Sequence, residues 1–396
     1  MRYTFTVLCA IVVLFIVSGF QKGKNDLQTA DDILKLEKTI GENSGLTGDY
    51  ILVRPFNVCA NAQGDILVSD EFKIKVYDIN GKPKIILGRQ GQGPGEYMPG
   101  IFPVILTMGP TGYFLGISTP ISGKTNVSFY YNLYTPDFKF VEMKRLDTNP
   151  VLEKYLISKG YSLKNIGETF PIYPLNSKEL VYRVLINNNK VLTLLYDNTQ
   201  QIKEIYCDIQ PERDVLLGNF LWRVLSNNNV TYINTYKDTI NEKGSSWYTI
   251  HIISLIDFKD TVIKQNFKPI VISDEYLKTL TIRQKTMTDE ALARRNEFAN
   301  NLRKQKYLPS VYTILSDGNY LFLFLYEENF YKSPKENTLT KPVDIFDMNA
   351  KKFIKRVYFP NVLNYVSNGY EYTWGKDKDG YPEIRKYKIN PAVYGK

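Results

Sequence analysis

The segment Gly91-Gln92-Gly93-Pro94-Gly95, flanked by Arg89 and Glu96, is the nearest this chain comes to a phosphate loop. Such loops hold phosphate with successive backbone N–H groups at the start of a helix. Here Pro94 removes a donor, Tyr97-Met98-Pro99-Gly100 cannot begin a helix, and no Lys-Ser or Lys-Thr follows. The segment suits a crossover between strands, where glycine supplies positive φ angles, with Arg89 and Glu96 paired or facing a cavity mouth. His251 is the one histidine and lies in the run Thr249–Leu255. A strand histidine is more often packed or at the surface than catalytic, and a histidine-rich zinc site needs partners it lacks. Calcium needs only oxygen ligands. The alternating carboxylates of Lys376-Asp377-Lys378-Asp379-Gly380 nevertheless read as a turn. No cofactor is expected, with Ca²⁺ the one ion left open. Past the N-terminal apolar run, only Cys59 and Cys207 carry thiols, without a CxxC. Both are expected as small apolar strand residues.

A second set of candidates is dispersed. Arg54, Phe102, Phe170, Phe220, Trp222 and Tyr312 each lie at or near the start of one of several similar segments. If those segments share an axis, the side chains converge there. Aromatic faces with a few polar groups suit a sugar ring or a peptide, although aromatics at repeated positions serve equally as core. The ligand-binding candidates are therefore Arg54, Arg89, Glu96, Phe102, Phe170, Trp222 and Tyr312, with no catalytic or metal-ligating residue assigned.

The elements that would position them are repeated hairpins. An apolar run, a turn of Gly, Asn, Asp or Ser, and a second run rich in Val, Ile, Leu, Tyr or Phe recur from Phe56, Phe102, Phe170, Phe220, Val311 and Val362. This is the pattern of a propeller or array. The first copy is the clearest, with strands at Asn57–Cys59, Ile66–Val68, Ile74–Tyr77 and Pro83–Leu87 separated by turns at Ala62–Asp65 and Asp78–Gly81. Four such strands make one blade. Leu34–Ile40 alternates apolar and polar residues without a hairpin partner, so it is expected to complete the last blade and remove its open edge.

Within the first blade, Asn61–Asp70, Ile74–Asp78, Gly81 and Gly88–Tyr97 resemble an NHL-type repeat. The chain as a whole is similar to the NHL/TolB-like six-bladed propellers exported by Gram-negative bacteria, many of them lipoproteins. That resemblance implies an all-β, six-bladed β-propeller over residues 34–396.

Ser273–Lys306 breaks the β pattern, with no Gly or Pro and many helix formers. Leu280, Met287, Ala291, Phe298 and Leu302 recur at helical spacing. Ser273 and Thr288 have the look of N-caps, with acidic residues just after each. Two helices with a break near Thr286 are expected as an insertion, with Arg283, Lys285, Arg294, Arg295, Arg303 and Lys304 on the other face.

Composition is consistent with this reading. Tyr and Phe number 30 and 21, and both favour half-buried sheet faces. The net charge is +9, but Lys and Arg are scattered among carboxylates, which points to a solvated mixed surface. Arg2, the apolar run Phe5–Val17 and small Ser18-Gly19 form a secretory signal peptide, residues 1–20, followed by a polar leader at 21–33. Phe20 stands where a lipoprotein signal needs Cys, so membrane association requires a retained or lipidated signal. Export to the periplasm or cell surface removes nucleic acid as a partner. The expected function is a binding or interaction module of the cell envelope for a glycan, peptide or envelope protein at a channel mouth beside the helical insertion. A metal-dependent hydrolase or lyase acting on a sugar or lactone is the alternative.

Overall fold

In a computed structural model, six four-stranded antiparallel sheets form the blades of a β-propeller. It describes residues 30–100, 103–122, 126–127, 129–167, 171–186, 190–209, 219–283, 287–328 and 341–396. The signal segment, Phe102 and Phe170 lie outside these residues.

The inner strands, from blade one to blade six, are Pro55–Ala60, Ile105–Met108, Ile172–Pro174, Phe220–Val224, Val311–Asp317 and Tyr365–Ser367. Each is followed outward by its own second, third and outer strand, except in blade six. There the outer strand is Leu34–Gly41, paired with Pro382–Ile389. The register runs from Leu34 opposite Ile389 to Gly41 opposite Glu383. The N-terminal strand thus closes the ring as its unpartnered alternation predicts.

Each blade is covered on both faces near the axis and on fewer sides at the rim. Central strands are therefore unbroken buried runs, such as Ile66–Asp70 and Phe114–Ser118. The outer strand Asp260–Phe267 instead alternates exposed and half-buried residues. The core is not one mass but six clusters, one between each pair of neighbouring blades. Leu67, Val76 and Phe114 belong to the cluster of blades one and two, while Ile40, Tyr372 and Val68 join blade six to blade one. Fully burying one such side chain contributes about 1.5–3 kcal/mol, so the last interface adds to stability through the same kind of packing as the others.

The inner hairpin turns are tight for identifiable reasons. In blade one, Asn61 Oδ1 accepts from the N–H of Gln63 and of Asp65, and Gly64 takes φ +84°. In blade two, Gly109 comes so close to blade three that a Cβ there would lie 1.7 Å from the Pro174 carbonyl oxygen.

The insertion consists of the helices Asp274–Thr281 and Asp289–Gln305, capped by Ser273 and Thr288, whose hydroxyls accept from Tyr276 N and Ala291 N. Its buried face is made by Tyr276, Leu277, Ala299 and Leu302 against Ile272 and Leu308, with Leu280 and Phe298 packed beside them. Met287 and Ala291 are only half-buried. A further helix, Pro150–Ser158, joins blades two and three. Asn149 caps it, Pro150 opens it, and Leu152 and Leu156 are buried among the residues of both blades.

Candidate functional site

The inner strands leave a cavity of ≈ 660 Å³ on the axis of the ring, and every blade contributes to its wall. Asn57 and Asn61 come from blade one, Leu106 and Thr107 from blade two, and Tyr173 from blade three. Arg223 comes from blade four, Leu315 and Ser316 from blade five, and Asn364 and Asn368 from blade six. Amides and hydroxyls alternate with aliphatic patches around the wall.

One end of the cavity is framed by the turns that follow the inner strands. Adjacent turns are bonded to each other. Asn368 Nδ2 donates to the Asn61 carbonyl at 3.0 Å, and Gly369 N to Asp317 Oδ2 at 2.8 Å. Ser226 Oγ donates to Asn319 Oδ1 at 2.9 Å, and Thr111 Oγ1 to the Leu175 carbonyl at 2.5 Å. Tyr394 donates to Asp317 at 2.6 Å and steadies that carboxylate. A mouth knitted in this way holds its shape without a ligand.

Among the described residues, Arg223 is the one charged side chain that lines the cavity. The period-two alternation of its strand explains its position. Phe220, Trp222 and Val224 turn toward the cluster of blades three and four, which leaves Arg223 on the other face, half-buried at the wall. Its Nη1 donates to the Trp222 carbonyl at 2.9 Å. Tyr173 stands next to it: burial raises the phenol and the Arg223 charge acts in the opposite sense. Tyr173 is in turn held edge-to-face against the Trp222 indole, with ring centroids 5.0 Å apart. Cys59 is also at the wall, its thiol pushed up to about 12 by burial and therefore unreactive.

The described residues proposed from sequence fall elsewhere, Phe102 and Phe170 lying outside the described residues. Trp222 is 2% exposed in the core and reaches the cavity only through Tyr173 and Arg223. Tyr312 packs edge-to-face on Tyr326 and Phe324. The Arg54 side chain is exposed, while its backbone N–H donates to the buried Asp70 carboxylate at 2.5 Å. Arg89 and Glu96 pair at 2.7 Å on the crossover between blades one and two. The Gly93 N–H and then Arg89 hold the Glu96 carboxyl below its usual range. That carboxylate occupies the glycine loop, where a Cβ on Gly91 would lie 2.0 Å from Glu96 Oε2. The loop thus carries its own anion. The signal that could have singled out Arg223 is the alternation itself, since a charge between two strongly apolar neighbours in an inner strand must face the axis or be paired.

The other residues weighed for chemistry are structural. His251 Nδ1 lies 2.8 Å from Asp260 Oδ2 and its ring stacks on Tyr232. The Asp377–Gly380 turn is closed by Asp377 Oδ1 and tied to Asn43. Among the described residues, no group of three or more His, Cys, Asp or Glu is arranged to hold a metal ion. Cys59 is buried as expected, but Cys207 is exposed, because it belongs to the outer strand Ile202–Ile209.

The helical insertion lies at the opposite end from the inner turns. In an antiparallel four-stranded blade, the connection to the next blade leaves at the end where inner strands begin, and the insertion is such a connection. None of its residues lines the cavity.

No family model and no curated protein matches the chain. Among solved structures it is similar to a protein of unknown function from Bacteroides caccae, at 10% identity and a TM-score of 0.34 over 77% of this chain and 81% of that one. It is also similar to the β-propeller domain of the Trilobed protease from Pyrococcus furiosus, at 9% identity and a TM-score of 0.37 over 83% and 78%.

Proposed function

We propose that this protein is a binding module of the bacterial cell envelope, exported by its N-terminal segment and related to the NHL/TolB-like propellers, that seats its ligand in the axial cavity. The observation that carries this reading is the cavity wall: six blades converge on one volume where amides, hydroxyls and a guanidinium are set among aliphatic side chains and two tyrosines. Such a wall can recognise without reacting. The hydrolase alternative needs carboxylates converging on an ion or a scissile bond, and the described residues that line the cavity include none. The mouth in use is the one framed by inner turns, which replaces the expectation of a mouth beside the insertion.

The test is a titration calorimetry panel of neutral and acidic oligosaccharides and short peptides against the full chain. Ser316→Trp should fill the cavity and abolish any binding found, with the fold checked by circular dichroism. Reversing charge on the helices with Arg295→Glu and Lys304→Glu should leave it intact. Binding that survives the Trp substitution, or that is lost with the helix charges, places the ligand elsewhere and overturns the reading.

A further inference from the structure

Resting on that reading, the geometry points to a specific ligand class: we propose that the cavity takes a saccharide bearing a carboxylate, with Arg223 as the seat of the acid group. Three arginines of the blades and their crossovers have a carboxylate of their own. Arg356 pairs with Asp344 at 2.6 Å, Arg385 with Glu383 at 2.6 Å and Arg89 with Glu96 at 2.7 Å. Arg223 is half-buried at the wall, yet its hydrogen bond to the protein goes to a neutral carbonyl, that of Trp222. No carboxylate of the described residues pairs with it. A partly desolvated guanidinium keeps several donors in a planar fork that matches a carboxylate in two parallel bonds.

The fork is held before any ligand arrives. Its carbonyl anchor belongs to a tryptophan locked in the core, and Tyr173, packed on that tryptophan, stands beside the guanidinium. A group so restrained loses little freedom on binding. The rest of the wall selects the body that carries the acid. The amides offer what their internal bonds leave. Asn57 has its Nδ2 donor to give, because its Oδ1 accepts from Leu106 N, while Asn364 and Asn368 have their Oδ1 acceptors, because their Nδ2 groups donate to Thr373 and to the Asn61 carbonyl. Donors and acceptors together are what a ring of hydroxyls requires. Tyr365 lines the same wall with its hydroxyl already committed to the Ala60 carbonyl at 3.2 Å, which leaves its ring to serve as a surface for a pyranose face. A peptide would present fewer hydroxyls to these amides, so a uronic acid unit is favoured over a peptide C-terminus.

The experiment is calorimetry at pH 7 and low salt with three length-matched probes: trigalacturonate, neutral maltotriose and the tripeptide Ala-Ala-Ala. Native protein, Arg223→Gln, Arg223→Lys and the cavity-filling Ser316→Trp are compared, with unfolding midpoints confirming that each is folded. Trigalacturonate should bind at least tenfold more tightly than maltotriose. Arg223→Gln should erase that difference, and Arg223→Lys should restore part of it. Added salt should weaken only the acidic probe. Equal affinity for the two saccharides, both blocked by Ser316→Trp, overturns the carboxylate seat while the cavity reading stands. A preference for the tripeptide overturns the saccharide assignment. Binding of any probe that persists in Ser316→Trp, or the binding of none, overturns the cavity reading and the inference together.

Discussion

Replacing Glu371 by Gln should stabilise this protein, and only at neutral to alkaline pH. Glu371 is 1% exposed, and neither of its carboxylate oxygens has a hydrogen-bond partner. It sits in the second strand of blade six, opposite Val366, which belongs to the apolar cluster between blades five and six. Burial pushes its carboxyl from an ordinary 4.5 up to about 7, the nearby Asn364 N–H acting in the opposite sense without closing a hydrogen bond. The unfolded chain ionises the group near 4.5 and the folded chain near 7. Between these values the native state binds a proton that the unfolded state has released. The stability this proton linkage supplies is therefore complete below pH 4.5 and is lost as pH rises through 7. At ~1.36 kcal/mol for each pH decade between the two, the loss at pH 8 is about 3 kcal/mol. Glu371→Gln keeps the shape and removes the ionisation. With an unfolding entropy of roughly 2.1 cal/mol/K per residue across the propeller, its melting temperature should rise by about 4 °C at pH 8. At pH 4.5 both proteins are neutral at this position and should melt together. Asp238, also raised to about 7 by burial, titrates in both and cancels in the difference. Scanning calorimetry at the two pH values is the assay. No gain at pH 8 refutes the argument, as does an equal gain at pH 4.5, which would trace the effect to packing.

Two further outcomes follow from pairings in the core and at the rim. Asp344 is fully buried and accepts from Arg356 Nε at 2.6 Å, Arg356 Nη2 at 2.9 Å and the Tyr248 hydroxyl of blade four at 2.7 Å. Asp344→Asn should cost about 2 kcal/mol in urea unfolding, less than a fully buried pair because Arg356 retains contact with solvent; an unchanged midpoint contradicts this. Iodoacetamide at pH 8 should label Cys207 in the native protein but Cys59 only after unfolding, read by peptide mass spectrometry, since only the former is exposed.

Much of the fold was legible because its signals are local. Hairpin turns, the N-caps at Ser273 and Thr288, and the unpaired alternation of Leu34–Ile40 each declare themselves within a few residues. The helix Pro150–Ser158 was not read, although Asn149 and Pro150 mark its start. It is short, and its burial depends on blades two and three together. The site was legible only as a place. Inner strands do converge on the axis, but in a radial sheet their side chains alternate toward the two neighbouring blades. Aromatic residues at strand starts were therefore drawn into the clusters between blades. The polar part of the wall falls to amides, hydroxyls and Arg223, residue types that look unremarkable in a sequence.

The strand Leu34–Gly41 gives this ring an unusual timetable. It is among the first parts of the propeller to be synthesised, and its partner Pro382–Ile389 is among the last. Blades can assemble in order along the growing chain, each burying one face against the one before. The arc they form still ends in open edges until the chain is complete. The seam that makes the ring a ring is thus the slowest contact to find, because the longest loop must close to form it. A chain that stops short by a single strand loses Ile384 from the cluster of blades six and one, and Ile389, Val393 and Tyr394 from that of blades five and six, and so weakens both interfaces that seal the ring. For this architecture, completeness of synthesis is itself a condition of folding.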